Sequence, residues 1–221
     1  MATSTSPTVD ILIDDGQSRL YTVENWTPVR TSSLVNNYSF YEDVNGRKLF
    51  LDLYPYLATL PLQIEPPIKV YNKIVHQRRD VGFFSNESIG YRYSGQLAES
   101  SPLTPILSAL MEDINSDFNT QFNGILVNRY ANQTKYLSAH SDNESGLDKV
   151  KRSVIGIAYG GVRTFRIRNK NTKEIILDIS HKPGMVIVME GNFQKCFLHE
   201  VCKESKTISE RISVTFRHHL E

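Results

Sequence analysis

The stretch YLSAHSDNES, residues 136–145, sets His140, Asp142 and Glu144 on every second position among small polar residues. In extended chain, residues two apart face the same way, so His140 and Asp142 can point at one atom. A His-x-Asp pair joined by a distant second histidine is the ligand set of a non-haem Fe(II) facial triad. That set has two imidazoles, one carboxylate and three open positions. A plain polar loop would carry the same residues, and His-x-Asp arises by chance in many chains. The second histidine has to come from a late strand facing the pair, and His181, His199, His218 and His219 are the candidates.

The segment RISVTFR supplies context. Ile212, Val214 and Phe216 alternate with Arg211, Ser213, Thr215 and Arg217, which is one apolar and one cationic face on a single strand. Six residues of strand span about 20 Å. Two inward guanidinium groups at its ends leave a gap suited to a short dicarboxylate, and arginine is the residue for planar, bidentate carboxylate capture. In GILVNRY, Leu126, Asn128 and Tyr130 share a face, so an amide and a phenol can meet the same ligand.

These residues need a scaffold. TPILSALMEDINSDFN reads as a helix with Thr104 as N-cap and Pro105 at its first position. Ile106, Leu107, Leu110, Met111, Ile114 and Phe118 make its apolar face. After it come GILVNRYA, RSVIGIAY, RTFRIR, EIILDI, GMVIVME, KCFLHEV and RISVTFR, short β-branched or aromatic runs divided by turn signals such as YGG, NKN and KPG. Strands at this spacing predict a sandwich or barrel. Residues 105–221 are expected to form a helix-supported double-sheet barrel. Residues 1–104 are expected to add a mixed extension at its mouth, within the same domain.

The whole chain is consistent with this. Its 221 residues suit one domain, and 40% hydrophobic with 22% charged residues is ordinary for a globular protein. MATSTSPTVD lacks the basic start and apolar run of a secretory signal, and no apolar run is long enough to span a bilayer. Two cysteines, Cys196 and Cys202, are too few for a secreted disulfide framework, so an intracellular, reducing compartment is expected. A net charge of +1 argues against a bulk electrostatic nucleic-acid binder. It leaves room for local basic patches in KVYNKIVHQRRD (Lys69, Lys73, His76, Arg78, Arg79) and DKVKR (Lys149, Lys151, Arg152).

Taken in order over about residues 122–217, the pieces NRY, HSDNE, GG-x-R-x-F, PG-x-VIVMEG, LHEV and RISVTFR resemble the AlkB-type Fe(II)/2-oxoglutarate dioxygenases. HQRRDVGFFSNESIGYRYSG resembles the nucleotide-recognition lid of that family's nucleic-acid demethylases. The resemblance implies a mainly β α+β fold: a double-stranded β-helix of jelly-roll type with supporting helices and a lid at about residues 69–95. It implies that His140, Asp142 and His199 bind Fe(II) and that Arg211 pairs with the distal carboxylate of 2-oxoglutarate. Arg217 would lie near the iron-bound carboxylate, with Asn128 and Tyr130 adding hydrogen bonds. Ser213 stands beside the co-substrate arginine where many members carry Asn, which bears on the subfamily. Glu144 would accept a hydrogen bond from a base's amino group. Tyr91 and Tyr93 would pack on or near a flipped base, with Arg79 as a lid arginine.

The implied activity is oxidative demethylation of N-alkylated nucleobases, such as 1-methyladenine or 3-methylcytosine, in DNA or RNA. It would use Fe(II), 2-oxoglutarate and O₂ and release succinate, CO₂ and formaldehyde. A single-stranded or flipped base is the expected substrate form, since unstacking then costs least, and a monomer is expected. Two other readings stand beside it. One is an oxygenase of the same chemistry acting on protein or lipid, which has no use for Tyr91, Tyr93 and Glu144. The other is a non-enzymatic metal module built on Cys196, His199 and Cys202, which requires CFLHEVC to be helical rather than strand.

Overall fold

A computed structural model describes residues 9–24, 27–29, 40–42, 48–50, 53–93, 96–143, 147 and 153–220. Two β-sheets face each other. The larger runs in the order Val9–Asp14, Ser18–Val23, Val186–Gly191, Val154–Gly160, Arg211–Arg217, Gly124–Tyr130, Asp80–Phe84, Gln96–Ser101, Gly90–Tyr93. Neighbours are antiparallel except Gln96–Ser101 on Asp80–Phe84. The smaller runs Leu137–His140, Phe197–Val201, Arg163–Asn169, Ile175–His181, antiparallel throughout. This is the expected double-stranded β-helix. No helix among the described residues is long and apolar enough to cross a membrane.

The larger sheet is apolar on its outer face because its central strands alternate. Ile212, Val214 and Phe216 are fully buried there beside Ile125, Val127, Ile155, Ile157, Val186 and Val188. The helix Pro105–Asp117 covers them with Leu107, Leu110 and Ile114, while Ile106, Met111 and Phe118 pack at the margin. Each large apolar side chain fully buried in this way contributes about 1.5–3 kcal/mol. The helix starts as expected, with the Thr104 hydroxyl accepting from the Leu107 N–H at 3.2 Å and Pro105 in the first turn. Beyond its end Asn115 ties the turn into the next strand. Its side-chain oxygen accepts from the Phe122 N–H at 2.6 Å and its amide donates to the Phe122 carbonyl at 2.9 Å.

A second apolar cluster lies between the sheets and includes Leu20, Val154, Phe165, Ile167, Ile187, Met189 and Val201. Its Leu20 comes from the N-terminal part of the chain, whose Ser18–Val23 strand pairs with Val186–Gly191. On the other flank Asp80–Phe84 pairs with Gly124–Tyr130. Segments expected to form an extension at the mouth therefore also widen the larger sheet on both sides. KCFLHEV divides into a single helical turn, Phe193–Cys196, and the strand Phe197–Val201.

One turn fixes the position of the last strand. Gly160 sits opposite Arg211 in the ladder with φ +79°, a backbone state that favours glycine. A Cβ on Gly160 would collide with the backbone oxygen of Glu210 and press on the ring of Tyr54. Gly160→Ala should therefore cost about 1–3 kcal/mol. At about 2–4 °C per kcal/mol for a chain of this size, thermal melting will show it. Gly156→Ala is the control, since a Cβ there meets nothing within 4 Å. Equal melting temperatures for the two variants would refute the argument.

Candidate active site

The Leu137–His140 and Phe197–Val201 strands pair with His140 directly opposite His199. That register brings the two imidazoles to 4.3 Å between ring centroids. The strand ends at His140, so Asp142 is held by other means. Its backbone N–H donates to Gln194 Oε1 at 2.9 Å. Arg217 Nη2 donates to its Oδ1 at 2.8 Å. Asp142 Oδ1 then lies 3.4 Å from His140 Nε2, and Oδ2 lies 3.7 Å from His199 Nε2. Potential ligand atoms of all three residues fall within 4.8 Å of one another.

The protonation states suit a cation. His140 Nδ1–H donates to the Ser138 carbonyl at 2.9 Å, which orients the ring with Nε2 toward the cluster. Burial pushes His199 down to about 3, reinforced by His140 and opposed by Asp142, so this imidazole is neutral. Burial pushes the Asp142 carboxyl up, but Arg217 and the two histidines override it and hold it well below the usual carboxylate range. Two imidazoles and one carboxylate are the ligand set of the facial triad. Asp142 Oδ2 is buried with no hydrogen-bond partner, and a metal–oxygen bond would satisfy it. These residues fit Fe(II). Cys196 and Cys202 do not join the cluster, and His199 lies on a strand.

The cavity beside the triad is lined from the larger sheet by Asn128, Tyr130, Arg211, Ser213, Thr215 and Arg217. Cross-strand register sets Asn128 against Ser213 and Tyr130 against Arg211. Arg211 is 1% exposed, and its Nε and Nη1 have no hydrogen-bond partner. Asn128 Oδ1 is likewise buried and unpartnered. With Arg79, three guanidinium groups line this cavity against the one carboxylate of Asp142 among the described residues. Such a cavity accepts an anion, and a dicarboxylate matches its charge.

A second cavity of about 350 Å³ lies outside it, lined by Gln77, Arg78, Arg79, Tyr93, Tyr136 and Ser138 among others. Arg79 and Leu137 wall both. Tyr93 stands edge-on to His140 at 6.2 Å and stacks on Tyr91 at 6.0 Å. Tyr91 is only 2% exposed, so it backs Tyr93 rather than forming an open platform. Arg79 is buried over the Tyr93 ring at 5.3 Å, with Nε donating to Gln77 Oε1 and Nη2 unpartnered. Lys69, Lys73, His76 and Arg78 are exposed on or beside the Pro67–Val70/Lys73–His76 hairpin. Glu144, Lys149, Lys151 and Arg152 lie outside the described residues.

Of the histidines open as second ligand, His199 faces the pair. His181 contacts Arg211, and His219 stacks on Phe83 at 4.9 Å. Sequence reasoning missed Gln194 and Arg163. Arg163 donates to the carbonyls of Asn132, Lys135 and Cys202, which ties the loop before His140 to the end of the His199 strand. Its place in GG-x-R-x-F was the available signal; for Gln194 there was none.

Residues 62–217 match the 2OG-Fe(II) oxygenase superfamily. The chain is 30% identical over 138 residues to the alpha-ketoglutarate-dependent dioxygenase alkB homolog 3 of Homo sapiens, covering 58% of this chain and 47% of that protein. It is 22% identical over 159 residues to the DNA oxidative demethylase ALKBH2 of Bos taurus, with 68% and 56% covered. It therefore spans about half the length of the curated relatives it matches. The solved structure of OsALKBH1 superposes with a TM-score of 0.54 at 16% identity, over 76% of this chain and 91% of that one, which supports the fold. The chain belongs to the 2OG-Fe(II) oxygenase superfamily, and that membership implies Fe(II), 2-oxoglutarate and O₂ as its reagents.

Proposed function

We propose that this chain is an oxidative demethylase of N-alkylated nucleobases, such as 1-methyladenine or 3-methylcytosine, in DNA or RNA. The observation that carries the reading is the juxtaposition of the His140, Asp142 and His199 cluster with a cationic inner cavity and an outer cavity walled by Tyr93 and Arg79. The relatives' names support a nucleic-acid substrate, since one of them is a DNA oxidative demethylase.

In this reading His140, Asp142 and His199 hold the metal. Arg217 donates to Asp142 Oδ1, and the buried, unpartnered Oδ2 is the oxygen that would face the metal. Arg211 takes the distal carboxylate of 2-oxoglutarate through its unpartnered N–H groups, assisted by Asn128, Tyr130 and Ser213. Metal, co-substrate and O₂ together supply hydroxylation of an N-methyl carbon, with succinate, CO₂ and formaldehyde as products. Tyr93, backed by Tyr91, packs on the base, and Arg79 bounds its cavity. Glu144 accepts from the base's exocyclic amino group and offsets the charge of a cationic methylated base.

The direct test is formaldehyde release from single-stranded oligonucleotides carrying 1-methyladenine or 3-methylcytosine, dependent on Fe(II) and 2-oxoglutarate. Succinate formation with no release from any methylated DNA or RNA would defeat the nucleobase reading.

Two predictions follow from the assigned roles. Anaerobic Fe(II) should raise the melting temperature of the wild-type chain, because a ligand that binds only the folded state at 100 times its Kd stabilises it by about 2.7 kcal/mol. His140→Ala, Asp142→Ala and His199→Ala should each abolish that rise. A rise preserved in all three would remove the metal assignment. Tyr93→Ala and Glu144→Ala should keep both the Fe(II) response and the slow succinate formation without oligonucleotide. Both should lose demethylation, by about 1–3 kcal/mol for a lost stacked base and about 1–3 kcal/mol for a lost charge-assisted hydrogen bond. Loss of basal succinate formation in step with demethylation would instead make them supports of the metal site.

A further inference from the structure

His181 is the one candidate histidine that reaches the inner cavity without joining the metal cluster. It is 2% exposed at the end of the Ile175–His181 strand, opposite Arg163 in the ladder. Both ring nitrogens are engaged. Nε2 lies 3.1 Å from the Met185 carbonyl, and Nδ1 lies 2.9 Å from Arg211 Nη2. A carbonyl can only accept, so Nε2 carries the proton. A guanidinium can only donate, so Nδ1 carries the lone pair. One tautomer of a neutral imidazole satisfies both contacts, and the protonated ring satisfies only one. Burial, and after it Arg211, push this histidine well below its ordinary range, which agrees with the geometry.

We infer that His181 is the positioning residue of the co-substrate arginine: a neutral acceptor that fixes the Arg211 guanidinium by one N–H and leaves its charge and remaining N–H groups for a carboxylate in the cavity. This rests on the assignment of Arg211 to the distal carboxylate of 2-oxoglutarate. Neutrality is the point of the arrangement. An aspartate at this position would orient the guanidinium as well, but it would pair with Arg211 and cancel the charge that the ligand needs. An apolar residue would keep the charge and lose the orientation. A neutral imidazole held by the Met185 carbonyl does neither. The Arg211 guanidinium also lies 5.4 Å from the Tyr130 ring, so Tyr130 and His181 together constrain it.

The test compares two ligands that chelate a metal identically and differ only at the far end. 2-Oxoglutarate has a distal carboxylate and 2-oxovalerate has a methyl group. Their affinities for the Fe(II)-loaded chain are measured anaerobically by calorimetric titration, and the readout is their ratio, which general damage to the metal site leaves unchanged. Wild type should prefer 2-oxoglutarate strongly, and Arg211→Ala should abolish the preference. His181→Leu should reduce it by about tenfold or more, the equivalent of about 1.4 kcal/mol. His181→Gln, which keeps a neutral acceptor, should stay nearer to wild type than His181→Leu, whereas His181→Asp should fall at least as far as His181→Leu. A wild-type ratio in His181→Leu, with the preference lost in Arg211→Ala, overturns the role of His181 and leaves Arg211 in place. A preference that survives in Arg211→Ala overturns the co-substrate assignment, and the inference falls with it. Should His181→Leu fail to fold, the Gln and Asp variants still decide, because equal ratios in those two would overturn the neutral-acceptor argument.

Discussion

Guanidinium groups buried between two sheets, with one carboxylate among them, are the constraint around which this molecule is organised. Arg79, Arg211 and Arg217 line the inner cavity, and Arg163 lies just behind it, all of them essentially inaccessible. A buried charge without a partner costs several kcal/mol. Among the described residues Arg217 is in direct contact with a carboxylate, Asp142 at 2.8 Å. Every one of the four nevertheless lies near a tyrosine ring: Arg79 by Tyr93, Arg217 by Tyr91, and both Arg163 and Arg211 by Tyr130, at 5.0–5.7 Å. Ring faces offset part of the desolvation cost of a cation without neutralising it. The tyrosines therefore make the cavity foldable while it stays electropositive, and a dianionic ligand completes it.

That arrangement explains which parts of the site were legible in the sequence. Alternation along RISVTFR separates a core face from a cationic face, and both were found as read, because a central strand packed on both sides obeys period two strictly. His140 and Asp142 do converge, but not for the reason extended geometry suggests. The strand stops at His140, and Asp142 is turned inward by Gln194 from the single helical turn after Val186–Gly191. No spacing rule connects residues 142 and 194, so this contact could not be read from one sequence. The role of His181 was hidden in the same way, since its tautomer follows from two partners on different segments. The N-terminal strands were illegible for a related reason. Ser18–Val23 joins the sheet through pairing with Val186–Gly191, and local pattern carries no trace of a partner more than 160 residues away.

The two sheets divide the work. The smaller sheet supplies both histidines, and its ladder fixes their separation through one register. The larger sheet supplies Asn128, Ser213, Arg211 and Arg217, and the helix Pro105–Asp117 stiffens it from behind through side chains that never touch the cavity. Arg217 and Arg163 are the cross-ties. The first links the last strand of the larger sheet to the ligand Asp142, and the second clamps the Asn132–Lys135 loop to the end of the His199 strand. Truncating either would leave more than a missing contact, because a partner group would remain buried and unsatisfied.

Charge also orders events on the proposed reading. Among the described residues, Arg79, Arg211 and Arg217 against Asp142 leave a formal charge of 3 − 1 = +2 around the inner cavity. Fe(II) raises it, and 2-oxoglutarate, a dianion, returns it to the same value. A cationic base such as 1-methyladenine therefore meets repulsion at every stage, most with the metal bound alone and less once the co-substrate has joined it. Coulomb interactions among groups about 4–8 Å apart amount to about 2–4 kcal/mol each at an effective dielectric of 20, so the sequence of binding matters. Tyr93, on the wall of the outer cavity, would give such a base an electron-rich face. A carboxylate on the same side, the place the reading gives to Glu144, would supply the attraction that the cavity itself withholds. Substrate choice can then be set by the aromatic and acidic groups of the outer cavity while the cationic inner cavity, built for an anion, stays unchanged.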